Sequence, residues 1–159
     1  MKKILIIVLA IMVVIIGFSA NVYIKAMEPI NQAEKVAKEK AENEANLQTV
    51  KRVTLYNGNE TYYIIDGITK EDEEVYVWVS ADSKDEVIIK NKKDGISKEE
   101  AIEKVMNKKN PTDIISVNLG MEKSIPLWEI SYKTGEGLLN YYVIDYETGN
   151  EELKILENL

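Results

Sequence analysis

Val75-Tyr76-Val77-Trp78-Val79 is a run of β-branched and aromatic residues, too short for a buried helix and flanked by polar stretches. It reads as the body of a strand over Val75–Ala81, with both faces apolar. Working outward, Thr61–Asp66 contains Tyr62-Tyr63-Ile64-Ile65 and has the same two-sided character. Asn57-Gly58-Asn59-Glu60 before it is a hairpin turn signal, so Val50–Tyr56 is expected to pair with it. Asp66-Gly67 and the acidic stretch Lys70–Glu74 lead into the Trp78 strand, and Glu86–Asn91 follows as another.

The same order recurs downstream. Ser97-Lys98-Glu99-Glu100 has the capping-box pattern, with Ile96 placed as a hydrophobic staple, and opens a helix with Ala101, Ile102, Val105 and Met106 on one face. That helix is expected to stop before Asn110-Pro111. Strands are predicted over Asp113–Leu119, Pro126–Lys133 and Leu138–Tyr146, with a short last one over Glu151–Leu156. At an offset of about 65 residues, Tyr63-Ile64-Ile65 falls on Trp128-Glu129-Ile130, and Val77-Trp78-Val79 on Tyr142-Val143-Ile144. Helix then antiparallel strands, twice, predicts an α+β fold of two tandem units, each a helix packed on one face of a curved antiparallel sheet. Units of about 60 residues have marginal cores alone and are expected to pack together.

Upstream, residues 4–24 carry no charge and would rise about 30 Å as a helix, enough to cross a hydrocarbon core. Lys2 and Lys3 precede the run, and Lys25 and Glu28 follow it. The lysine pair places residues 1–3 in the cytoplasm and the remainder outside. A cleaved signal peptide, cut near Gly17-Phe18-Ser19, is the rival reading; the length of the run and the Tyr23/Lys25 interfacial pair favour an uncleaved anchor. Residues 25–48 read as a helix starting at Pro29, partly a solvated spacer and partly the first helix of unit one, with Val36, Ala37 and Leu47 as docking positions. Residues 49–94 then form the first sheet and 95–159 the second unit.

Composition narrows the function. The 159 residues include no Cys and no His, which excludes disulfides, Cys/His zinc sites and His-dependent catalysis. Lys+Arg is 20 against 27 Asp+Glu; beyond residue 25 the cations fall to 17 and the acids stay at 27, a net charge of −10. Nucleic acid is therefore not the expected partner, since its binding rests on basic side chains. Lys133-Thr134-Gly135 and Ser116-Val117-Asn118 imitate motifs of penicillin-recognising enzymes, but none of the seven serines has Lys three positions on, so no acyl-enzyme nucleophile exists. Glu71-Asp72-Glu73-Glu74 lacks the alternation of a calcium loop. No catalytic, metal or cofactor residues are assigned, and the chain is expected not to be an enzyme. The two-sided strands leave Tyr62, Ile64, Tyr76 and Trp78 either buried by the second unit or exposed as a partner-binding face.

Taken in order, several segments resemble the TseB (YpmB)-like family of cell-wall elongation regulators of Gram-positive bacteria. They are the Lys pair with one span, the Ala/Glu/Lys helix, Glu60–Ile65, Val75–Val79 with Ala81-Asp82, Asp94-Gly95-Ile96-Ser97, Leu127–Tyr132 and Asp145-Tyr146-Glu147-Thr148-Gly149. Ser80 stands where the family pattern has Pro, a difference at a strand end. The resemblance covers nearly the whole chain. It implies two PepSY-like (cystatin-like) units behind a membrane anchor. It also implies a non-enzymatic role in cell elongation, through association with a penicillin-binding transpeptidase. An alternative from the PepSY side is an inhibitor or modulator of an extracytoplasmic peptidase. The resemblance brings no cofactor and no catalytic residue with it.

Overall fold

The computed structural model describes residues 2–82, 87–135 and 137–150, and it divides into two compact units, residues 1–36 and 37–159. The predicted strand Glu151–Leu156 lies outside the described residues.

The first unit is helical. Helix α1 (Lys2–Glu44) is continuous through Pro29, where the sequence had suggested a new start. Pro29 forgoes one intrahelical hydrogen bond, and the helix-favouring residues on either side bridge that gap. From Ile11 to Ile24 the side chains are exposed, Phe18 at 70% and Ile24 at 66%. An all-round apolar helix with nothing packed on it is suited to lipid. The helix is long and apolar enough to cross a membrane and is the candidate anchor.

The second unit is α+β. Sheet A is an antiparallel meander of β1 (Leu47–Asn57), β2 (Thr61–Thr69), β3 (Glu74–Ser80) and β4 (Val87–Asn91), in that spatial order. A 3-10 turn, Lys92–Asp94, leads to α2 (Lys98–Lys109). Sheet B is β5 (Asp113–Glu122), β6 (Ile125–Lys133) and β7 (Leu139–Asp145). The capping box is formed: Ser97 Oγ accepts from Glu100 N at 3.1 Å, and Ser97 N donates to Glu100 Oε2 at 2.7 Å.

The repeat is visible in local geometry. Asn46 and Asn110, both left-handed (φ 51° and 45°), end the two helices, Asn being the commonest substitute for Gly there. Each first strand has a register shift at corresponding places, Val50/Arg52 in β1 and Ile114/Ser116 in β5. A bulge reverses the alternation of faces. Val50 and Val53, three residues apart, thus pack on the same core, as do Ile114 and Val117 in the second half.

Two cores result. Ala37, Ala41, Ala45 and Leu47 press the end of α1 onto Tyr63, Ile65, Val75, Val77 and Val79 of sheet A. The small Ala stripe at four-residue spacing allows close approach. Val36, expected to dock, is instead 63% exposed. The opposite face of sheet A joins α2 and sheet B in the larger core, which includes Tyr62, Ile64, Trp78, Ala101, Val105, Trp128 and Ile130.

Candidate functional site

Three of the four residues singled out as a possible docking face are core residues. Tyr62 and Trp78 are 0% exposed and Ile64 is 4% exposed, while Tyr76 is half-buried. At Tyr62, Ile64 and Trp78 the face is buried under sheet B and α2, and Tyr76 lies at the edge of that cover. Antiparallel register sets Ile64 opposite Trp78 and Asp66 opposite Tyr76, so these side chains share that face. Trp78 Nε1 donates to Gly120 O at 3.0 Å, and Trp128 Nε1 donates to Ile96 O at 2.9 Å. Both indoles thus satisfy their one polar group on the backbone. Tyr76, Trp78 and Tyr146 stack edge-to-face with centroids 5.8–6.0 Å apart, and Trp128 joins Tyr76 at 6.4 Å. The close approach requires glycine at two places. A Cβ on Gly120 would lie 2.6 Å from the Tyr56 ring, and one on Gly95 would lie 2.3 Å from the Tyr146 ring.

Where the aromatic packing ends, a cleft of about 180 Å³ opens on the same face of sheet A. Its floor is Arg52 and Thr54 of β1, Ile64 and Asp66 of β2, and Tyr76 of β3. Lys98, the first residue of α2, and Trp128 of β6 close it from the other side. The β1 bulge is what turns Arg52 to this face while Val50 and Val53 stay on the other. Asp66 is paired with Lys92 at 2.7 Å, and the Lys92 ammonium sits 4.6 Å from the centre of the Tyr76 ring. Burial, helped by Asp66, Glu74 and Glu99 and opposed by Arg52, raises the Tyr76 hydroxyl above the usual phenol range. On the β5–β6 side, Tyr56 Oη donates to Glu129 Oε2 at 3.4 Å. Burial, reinforced by Glu129, pushes the Tyr56 phenol up to about 12. Burial also holds the Glu129 carboxyl above the ordinary carboxylate range, with the Tyr56 bond opposing and Glu122 adding to the rise.

Among the described residues, no group of three or more Asp, Glu, His or Cys is placed to hold a metal ion. Ser116 and Ser131, one of them from the motif that imitates penicillin-recognising enzymes, hydrogen-bond each other across β5 and β6 at 2.5 Å. They form a cross-strand pair. The Arg52 cleft was not foreseen; its only sequence signal was a lone arginine in an otherwise Lys-based strand region.

Comparison with known proteins gives a consistent result. A family model described as "Cell wall elongation regulator TseB-like domain" matches residues 36–80, and one described as PepSY, "Peptidase propeptide and YPEB domain", matches residues 95–153. "Probable cell wall elongation regulator TseB" of Bacillus subtilis (strain 168) is 33% identical over 141 residues, 89% of this chain and 85% of its own. The structure of "YpmB protein from Bacillus subtilis" superposes with a TM-score of 0.71 at 32% identity, covering 77% of this chain and 95% of that one.

Proposed function

The chain belongs to the TseB-like family of cell wall elongation regulators, and from that premise we propose that it regulates wall synthesis by binding a penicillin-binding transpeptidase outside the membrane. The observation that supports this most is the 33% identity to a probable elongation regulator along 89% of the chain. In this reading α1 tethers the protein, Lys2 and Lys3 keep residues 1–3 in the cytoplasm, and residues 37–159 work on the outer side. The protein acts by contact and not by chemistry. The absence of His and Cys, and of any Ser with Lys three positions on, is in keeping with that role. Two-dimensional diffusion in the same membrane would raise the effective concentration of an anchored partner, so a modest interface suffices.

The test is in-cell crosslinking of the full-length anchored protein followed by mass spectrometry. Recovery of a transpeptidase is the expected outcome; recovery of a peptidase alone would overturn the reading. That second outcome corresponds to the other reading, modulation of an extracytoplasmic peptidase, which is favoured by the PepSY match over residues 95–153.

A further inference from the structure

The Arg52 cleft brings two unpaired cations together in an acidic molecule. The chain beyond residue 25 carries 17 basic and 27 acidic residues, and several surface cations are paired, as in Lys51–Glu74, Lys90–Glu147 and Lys93–Glu73. Within the cleft, Asp66 is neutralised by Lys92. Among the described residues, the Arg52 guanidinium and the Lys98 ammonium have no hydrogen bond or ion pair, although both line the same cleft. Glu99 lies within electrostatic reach of Tyr76 on the same side. Two unpaired cations therefore line the cleft, whose one lining acid, Asp66, is already paired with Lys92.

Beside these charges the lining is largely apolar or aromatic, Ile64, Tyr76, Val117, Leu119 and Trp128, with Thr54 and Asn118 as its uncharged polar members. At about 180 Å³ the space equals about six waters, smaller than the pocket of a whole drug-sized ligand and large enough for the end of a chain. A planar guanidinium is shaped for two parallel bonds to a carboxylate. A carboxylate carried on an apolar stem also suits the site better than free phosphate, because Ile64, Tyr76, Val117, Leu119 and Trp128 lie beside the cations and phosphate has no apolar part to place against them.

We propose that this cleft binds the carboxylate end of a short peptide or acyl chain. Arg52 and Lys98 hold the head and Ile64, Tyr76 and Trp128 flank its apolar neck. The inference stands on the cleft alone and does not depend on which wall-synthesis protein the chain binds.

The test uses the full-length chain in detergent micelles, with indole fluorescence as readout because Trp128 lines the site. The probes are N-acetylalanine, its amide and inorganic phosphate. N-acetylalanine is expected to give a saturable change that the amide, lacking the charge, does not. Arg52→Gln and Lys98→Gln should each weaken binding about tenfold, the loss of one charge-assisted contact. Lys70→Gln, an exposed lysine outside the cleft, should leave it unchanged. The proposal is overturned if acid and amide act alike, if phosphate binds as well as the carboxylate, or if both cleft variants bind like the parent.

Discussion

Glu129 illustrates how a single residue can cost stability in place. Its carboxyl is half-buried between Tyr56 and sheet B and is held above its ordinary range. An acid whose folded pKa is raised binds more protons folded than unfolded, so stability falls as pH rises from the unfolded value near 4.5 through the folded one. Glu129→Gln removes that loss and keeps an acceptor for the Tyr56 hydroxyl. The variant is expected to gain stability relative to the parent at pH 7 and to show no gain at pH 4. Urea midpoints at the two pH values check this; an equal difference at both would contradict it. Little of this was legible in the sequence. Trp128, Ile130 and Tyr132 alternate with Glu129 and Ser131, a pattern of one apolar and one polar face. The packing of Tyr56 against Gly120 half-buries the polar one.

At the scale of elements, local chemistry decides several boundaries and fails at others. The Ser97 cap formed as its pattern dictates, and Ser97→Ala is expected to cost about 1 kcal/mol. Glu100 makes part of this cap depend on acid. Its bond to the Ser97 N–H holds the carboxyl below the usual range, so the contribution is present above pH 4.5 and fades as pH falls through the lowered value. Thermal melts at pH 7 should therefore resolve the Ser97→Ala loss, and a wild-type melting point at pH 7 would contradict it. The β5–β6 hairpin was less readable. Its turn is Lys123-Ser124, both at positive φ (50° and 63°), with neither the Asn nor the Gly that marks such turns. β5 consequently runs to Glu122, three residues beyond the expected end at Leu119. Pro29 misled in the other direction, because tolerance of Pro inside a long helix depends on its neighbours and not on the residue itself.

On the scale of the whole molecule, the two-sided strands are explained by what covers them. One face of sheet A receives the Ala stripe of α1 and the other receives α2 and sheet B. Apolarity on both faces was visible in the sequence; the identity of the cover was not, because it depends on long-range packing. If the Trp78 face is core, Trp78→Ala should cost about 3–5 kcal/mol, a large share of the usual 5–15 kcal/mol. Trp128 fluorescence then reports an earlier unfolding of sheet B together with sheet A. A Trp128 transition at the parental midpoint would show that the sheets are not held together there.

The central claim, that this family member regulates elongation by binding a penicillin-binding transpeptidase, is tested most directly by one gel. Cells expressing the tagged full-length chain are crosslinked and labelled with fluorescent penicillin, and the adduct is captured through the tag. The account predicts a captured band that carries the penicillin label and loses it after competition with unlabelled penicillin. Capture of adducts that never carry the label, with the labelled transpeptidases all left in the unbound fraction, would contradict it.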